Sequence, residues 1–195
     1  MDPRFENDLF IIRRKVMKLM GAAFHIYDMQ QQLLFYSELK AFKLKEDIKV
    51  FADEEKQFEM LSIQARQVLD FSAQYDVFDS QSGEKVGMLQ RKGMKSMVRD
   101  EWNLNDANDQ PLGIIQEDST GMALFRRFGG SLSMFFPQKY HAVIGQQAVA
   151  YFHQNFNPFV LKVTVDFRPD TNRWFDHRLG IASAILLNAI EGRQS

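Results

Sequence analysis

The sequence predicts a mainly β protein in which a closed antiparallel barrel of about twelve strands surrounds a hydrophobic C-terminal helix. Three observations indicate this fold. Short apolar runs recur along the chain with polar turns between them, and the clearest run alternates apolar with polar residues. Near the C-terminus, the segment RLGIASAILLNAI presents apolar or small residues on every side of a helix, and such a helix has to be surrounded by protein.

Length and composition limit the possible classes of protein. The 195 residues allow a substantial core, so we expect a single domain over residues 1–195, with barrel strands at about 9–168 and the central helix at about 172–191. Because 24 basic residues nearly balance 25 acidic ones, nucleic acid or an anionic membrane could be bound only through a local patch. The absence of cysteine excludes disulfides and thiolate chemistry. The N-terminus MDPRFENDLF has acids where a secretory signal has a basic start, so we expect a cytoplasmic protein.

The first apolar segment, LFIIRRKVMKLM, fits two structures. Leu9, Ile12, Val16 and Leu19 form a helical stripe beside basic residues. The same segment is also compatible with a strand, and periodicity alone favours neither structure strongly.

Four aspartates mark a repeated pattern of strand, turn and strand. Asp28, Asp53, Asp79 and Asp106 end the phrases HIYD, VFAD, VFD and NLND, about 25 to 27 residues apart, and a polar turn and another apolar run follow each. This is the usual sequence pattern of a β-hairpin, and YHAVIGQQAVAYFHQ is a fifth, weaker copy. An aspartate at this position bonds its own backbone and initiates the turn, which favours a turn role over a shared metal site.

The strand near the end of the chain is the clearest one. Leu161, Val163, Val165 and Phe167 alternate with polar residues. This alternation predicts one face against the core and one face in water.

The C-terminal helix is too short to cross a membrane comfortably. Leu179–Ile190 would be about 18 Å long at about 1.5 Å per residue, against a bilayer core of about 30 Å. Gly180 and several alanines keep the helix narrow, which suits a position inside a barrel filled by phenylalanines and methionines. Ser183 can bond a carbonyl of its own preceding turn. We expect the N-terminal cap among Asp170, Thr171 and Asn172.

Several phrases carry a family resemblance. Hairpin phrases of the VFD and VGMLQRK type, the phrase LSMFFPQKY and the closing DHRLGIASAILLNAIEG resemble the superfamily of tubby C-terminal domains, phospholipid scramblases and LURP-one-related proteins. The resemblance extends from about Phe5 to Gly192. It implies a closed barrel of twelve antiparallel strands around a buried C-terminal helix, and it favours a strand for LFIIRRKVMKLM.

The function that this resemblance implies is less definite, because the relatives differ. Tubby-like domains bind phosphoinositides, scramblases are associated with lipid movement, and plant relatives act in defence without a defined chemistry. The chain lacks the cysteine-rich, palmitoylated stretch and the proline-rich tail of animal scramblases. Its segment VDFRPDTNRWFDHR does not clearly match their calcium-binding acidic loop, so no functional residue of the relatives is assigned to this chain.

Basic clusters are the candidate binding residues, because each lysine or arginine near an anionic surface contributes about 1 kcal/mol. Three clusters occur: Arg13, Arg14, Lys15 and Lys18; Arg91, Lys92, Lys95 and Arg99; and Arg126 and Arg127. The second cluster, which contains the turn GMKSM, is the preferred headgroup site. The alternative is that these residues form solvated strand faces, where lysine discourages pairing between sheets.

Other chemistries have weaker support in the sequence. The four histidines lack the spacing of a zinc site, no serine lies in a nucleophile elbow, and the aromatic residues are not interleaved with basic ones as in RNA-binding strands. His177, between Asp176 and Arg178, is expected to have a structural role.

The leading hypothesis is therefore a non-enzymatic binding or scaffold module that recognises anionic phospholipid headgroups. We expect it in the cytoplasm or peripherally at the membrane, with no transmembrane span and no catalytic residue, cofactor or metal. The alternative is a protein-interaction adaptor that binds no lipid.

Overall fold

In the part of the chain that the computed structural model describes, twelve antiparallel strands form a closed barrel around an α-helix, as the sequence predicts. The structure describes residues 1–17, 21–39, 47–67, 73–92, 101–118, 139–155 and 161–191. A short 3-10 helix precedes the strands at Pro3–Glu6. The strands are β1 Leu9–Met17, β2 Gly21–Tyr27, β3 Leu33–Leu39, β4 Ile48–Phe51, β5 Glu59–Gln67, β6 Gln74–Asp79, β7 Lys85–Arg91, β8 Glu101–Asn105, β9 Pro111–Glu117, β10 Lys139–Ile144, β11 Gln147–Gln154 and β12 Leu161–Asp166. The helix, α1, is His177–Glu191.

The order of the strands around the barrel follows their order in the sequence. Each strand pairs with the one before and the one after it, and β1 closes the barrel by pairing with β12. The segment LFIIRRKVMKLM therefore contains a strand, since Leu9–Met17 is β1. The predicted fifth hairpin is also present, as β10 and β11.

The aspartate turns lie together at one end of the barrel, which we call the turn end. Backbone N–H groups donate to each carboxylate: Gln32 to Asp28, Glu55 to Asp53, Gln81 to Asp79 and Asn108 to Asp106, at 2.8–3.0 Å. Each aspartate therefore initiates its own turn, as its position in the repeated phrase predicts.

Helix α1 fills the inside of the barrel. Apart from Gly180, every residue from Leu179 to Ala189 has a side chain that is at least nine-tenths buried. The hydroxyl of Ser183 donates to the carbonyl of Leu179 at 2.7 Å. At about 1.5 Å per residue the helix is about 22 Å long, similar to the strands that surround it. The predicted burial of the apolar segment is confirmed.

The helix begins at His177, so the expected start near residue 172 is wrong, and so is the expected cap among Asp170, Thr171 and Asn172. The Asp170 carboxylate accepts the backbone N–H groups of Trp174 and Phe175 instead and stabilises a loop. Arg173 in this loop has a φ of 54°, a left-handed conformation that interrupts a right-handed helix. Asp176 precedes the helix and accepts the N–H of Arg178 at 2.9 Å.

A buried ion pair fixes the start of the helix at the turn end. Arg178 donates to Asp79 at 2.8 Å and to Asp176 at 2.6 Å, and the Arg178 and Asp79 side chains are 9% and 7% exposed. The hydrogen bond that Arg178 donates to Asp176 is the largest cause that raises the pKa of Arg178. Burial acts to raise the pKa of Asp79, but hydrogen bonds from Arg178 and from the turn backbone outweigh it and lower the pKa. The pair fixes both the depth and the rotation of α1 in the barrel.

His177 has the structural role that the sequence predicts. Its Nδ1 lies 2.8 Å from the Phe5 carbonyl oxygen and its Nε2 lies 3.0 Å from an Arg173 nitrogen, so Nδ1 carries the proton and Nε2 accepts. Its ring stacks on Phe167, with the ring centroids 4.0 Å apart. Burial lowers the pKa of His177, and the positive charge of Arg173 lowers it further.

Candidate functional site

The first basic cluster is divided between the two faces of β1. Phe10 and Ile12 point into the core, and strand alternation places Arg14 on the same inward side. Arg13 and Lys15 lie on the outward side, where Lys15 is exposed. Of the three members of the cluster that the structure describes, Arg13 and Lys15 therefore share one external surface.

A third cation joins them from the far end of the chain. Lys162 on β12 is directly opposite Arg13 in the register of the closing strand pair. Cβ atoms of directly opposed residues are about 5 Å apart, and like charges in this arrangement are destabilising by up to about 1 kcal/mol. The pairing of β1 with β12 therefore places two cations on neighbouring strands, with the Arg13 guanidinium directed towards Tyr27 and Gln31.

The cationic surface continues onto β10 and β11. Lys139 is opposite His153, and His153 is opposite Thr164, which is on the same face of β12 as Lys162. Adjacent strands are about 4.8 Å apart, so these side chains lie on one continuous part of the wall. We call this surface the basic face; its members are Arg13, Lys15, Lys139, His153 and Lys162.

Among the residues that the structure describes, no carboxylate pairs with a member of the basic face. Other parts of the wall differ in this respect. There the cations have acidic partners: Lys49 pairs with Glu59 at 2.6 Å, Lys56 with Glu38, Arg66 with Asp76 at 2.7 Å, and Lys85 with Asp109 at 2.5 Å. Within the described residues, the cations of the basic face thus have no ion-pair partner, although Asp166 interacts electrostatically with His153.

Neighbouring polar and aromatic groups hold Arg13 in place. Its guanidinium lies over the Tyr27 ring, 4.6 Å from the ring centroid, and donates to the side chain of Gln31. A cation over an aromatic ring contributes about 0.5–1 kcal/mol at an exposed site. His25, opposite Arg13 on β2, pairs with Glu54 at 3.2 Å and so marks the edge of the basic face.

The described members of the second predicted cluster, Arg91 and Lys92, lie on the opposite wall, because β7 is separated from β1 by five strands in either direction. Arg91 is opposite the buried Trp102, which places it on the inward side of β7, and Lys92 pairs with Glu101. Lys95 and Arg99, together with Lys18, Arg126 and Arg127, lie outside the described residues. The assignment of this cluster as a headgroup site stays a prediction.

A small cavity lies between the described residues of α1 and the barrel wall at β10–β12. Its volume is about 20 Å³, with space for about one water molecule. It is lined by Tyr140, Phe152, Gln154, Val163, Ala184, Leu187 and Asn188. Across the described ranges, no three His, Asp or Glu side chains gather as metal ligands. In the same part of the chain, no helix is long and apolar enough to cross a membrane.

Sequence reasoning missed three members of the basic face: Lys139, His153 and Lys162. They are isolated cations in apolar strands, and only the closure of the barrel brings Lys162 beside Arg13. One signal was available, however. Once LFIIRRKVMKLM is taken as a strand, its alternation separates Arg14 from Arg13 and Lys15.

Comparisons with known proteins agree with the fold. The chain is similar to a protein from Arabidopsis thaliana whose X-ray structure is known, with 13% sequence identity and a TM-score of 0.52 over 97% of this chain and 96% of that one. No curated protein matches the chain. The family model for LURP-one-related proteins matches residues 35–188, from β3 to the last turns of the central helix. The chain therefore belongs to the LURP-one-related family, within the tubby-like superfamily.

Proposed function

We propose that this protein is a non-enzymatic module that binds anionic phospholipid headgroups through the basic face, peripherally at a cytoplasmic membrane surface. The observation that carries the proposal is the opposition of Arg13 and Lys162, with Lys15 two residues along the same face and no described carboxylate paired with any of the three. An anion bound at this surface would be attracted by all three cations. A lipid phosphate is such an anion.

The spacing of the cations supports a membrane surface as the ligand. Arg13 and Lys162 are about 5 Å apart at Cβ, and Lys15 is about 7 Å further along β1. Lys139 lies two strands beyond Lys162, at about 5 Å per strand. A surface of this width contacts several headgroups at once, and at about 1 kcal/mol for each cation the attraction amounts to about 4 kcal/mol.

Vesicle sedimentation tests the proposal. Wild-type protein is mixed with vesicles of phosphatidylcholine alone or with one fifth phosphatidylserine, and the bound fraction is measured at low and at physiological salt. We expect binding to the anionic vesicles only, weakening as salt rises. The double variant Lys15→Gln/Lys162→Gln should bind about 30-fold more weakly, because it loses two contributions of about 1 kcal/mol each.

The control variant removes the same charge from positions outside the basic face. Lys49 and Lys56 are both exposed and both paired with carboxylates, so Lys49→Gln/Lys56→Gln changes the net charge equally. Its affinity should stay within about threefold of wild type. If neither wild type nor the control variant sediments with anionic vesicles, the lipid proposal is wrong. Equal weakening in both double variants would mean that net charge, not the basic face, determines binding.

A second candidate function is a protein-interaction adaptor. At the turn end, Phe58 and Trp174 are 60% and 50% exposed, and large aromatic side chains are typical anchors of protein interfaces. This function predicts that wild-type protein retains specific partners at high salt and binds no vesicles. The variant Phe58→Ser/Trp174→Ser should then lose those partners, whereas Lys15→Gln/Lys162→Gln should keep them.

A further inference from the structure

Acidic residues are concentrated at the turn end of the barrel. The segments that form this end are residues 1–8, 28–32, 52–58, 79–84, 106–110, 145–146 and 167–176. They contain 13 acidic and 4 basic residues, which leaves 12 acidic and 20 basic residues for the rest of the chain. A protein that is nearly neutral as a whole therefore carries a strongly negative end.

The basic face extends from Arg13, which donates to Gln31 at the border of the turn end, to the opposite end of the barrel. Lys139 is the first residue of β10, which runs towards the turn end, and Lys15 lies near the end of β1, which runs away from it. From Leu9 to Lys15 the strand covers about 20 Å at about 3.3 Å per residue. For a strand tilt of about 40°, this corresponds to about 15 Å along the barrel axis. That distance exceeds the screening length of about 8 Å at physiological salt.

We infer that the protein binds an anionic membrane in one orientation, with the basic face and the C-terminal end of α1 towards the lipid and the turn end directed into solution. This inference rests on the proposed headgroup binding and specifies its geometry. The two charged regions act in the same direction, because the membrane attracts the basic face and repels the turn end. The exposed Trp174 of the turn end then stays accessible from the aqueous phase.

Single-cysteine labelling measures the orientation directly, since the chain has no native cysteine. Asn155 and Asn108 are both exposed; Asn155 pairs with Lys162 beside the basic face, and Asn108 lies in a turn of the turn end. Asn155→Cys and Asn108→Cys are labelled with the same fluorophore and mixed with phosphatidylserine-containing vesicles that carry a headgroup quencher. We expect several-fold stronger quenching at position 155 than at position 108.

The outcomes separate the orientation from the binding itself. If the labelled proteins sediment with the vesicles but are quenched equally, or more strongly at position 108, the orientation is wrong and the binding proposal stands. If the label at position 155 alone prevents sedimentation, position 155 faces the lipid as the orientation requires, whereas a loss caused only by the label at position 108 would contradict the orientation. If wild type does not sediment, both proposals fail.

A charge variant of the turn end gives an independent measurement. Glu6 and Glu55 are exposed, and neither forms an ion pair within the described part of the chain. In the inferred orientation, the distance from these two glutamates to the lipid exceeds the screening length. The variant Glu6→Gln/Glu55→Gln should therefore change vesicle affinity by less than about twofold at physiological salt. At low salt, where the screening length rises to about 30 Å, the same variant should bind more tightly than wild type. A large gain in affinity at physiological salt would contradict the inferred orientation.

Discussion

Gly180 is the position at which the fit between α1 and the barrel can be tested with one added methyl group. A Cβ atom at this position would lie 2.3 Å from Cζ and 2.4 Å from Cε1 of Phe167, and 3.2 Å from Cε1 of Phe175. Both phenylalanines are fully buried, and Phe167 also stacks on His177. The ring cannot move away without disturbing that stack, so Gly180→Ala must shift either the helix or the ring.

The expected magnitude combines two opposing effects. In an exposed helix, replacing glycine with alanine stabilises by about 1 kcal/mol. Adding volume to a tightly packed core costs about 1–3 kcal/mol, and two contacts below 2.5 Å place this case at the upper end. We expect a net loss of about 2 kcal/mol in the free energy of unfolding, or about 4–8 °C in Tm for a chain of this size.

Urea unfolding followed by circular dichroism measures this loss. A second variant, Phe167→Leu, removes the ring atoms that the new methyl group meets, so Gly180→Ala should be less destabilising in that background by about 1 kcal/mol or more. If Gly180→Ala instead stabilises the wild-type protein by about 1 kcal/mol, the helix is not enclosed at this position and the packing argument is refuted.

Two further predictions concern the start of the helix. Asp79→Asn should lower the free energy of unfolding by at least about 2 kcal/mol more than Asp106→Asn does. Both aspartates initiate turns, but only Asp79 also pairs with the buried Arg178. Equal losses in urea unfolding would mean that the ion pair contributes nothing to stability. The pKa of His177 is lowered in the folded state, so the unfolded state binds the proton first as pH falls. The contribution of His177 to the free energy of unfolding is therefore complete above a pH of about 6.5 and is lost as pH falls through the folded-state pKa. Urea midpoints between pH 7.5 and 5 should fall for wild type and change less for His177→Asn, whose side-chain amide can still donate to Phe5; parallel pH profiles would contradict this role.

The sequence predicts those parts of the fold that depend on neighbouring residues. The aspartate turns depend on a carboxylate and the next few N–H groups, so the repeated phrases are sufficient to locate them. The burial of α1 follows from an apolar segment with no polar side. The start of the helix was misplaced because Asp170 and Asp176 are both suitable caps, and the choice depends on the contact of Arg178 with Asp79, about one hundred residues away.

The candidate site was only partly predictable for the same physical reason. Arg13 and Lys15 are conspicuous as part of a basic run, but Lys162 becomes their neighbour only when β1 pairs with β12. Sequence proximity also gave a misleading grouping, since the alternation of β1 directs Arg14 to the side of Phe10 and Ile12. The ion pairs that neutralise Lys49 and Lys92 join different strands, and no pattern within a single strand reveals them.

The central claim is that α1 is enclosed by the barrel, and thiol accessibility measures it most directly. Ser183→Cys is a nearly isosteric change in the middle of α1, where the side chain is 2% exposed, and Ser82→Cys in an exposed turn is the matched control. Both variants are treated with a water-soluble thiol reagent in the presence and in the absence of anionic vesicles. The cysteine at position 183 should react more than about 1000-fold more slowly than the cysteine at position 82, because its reaction requires global unfolding. Reaction of the two positions at similar rates under native conditions, or modification of position 183 by a lipid-phase reagent in the presence of vesicles, would contradict the account.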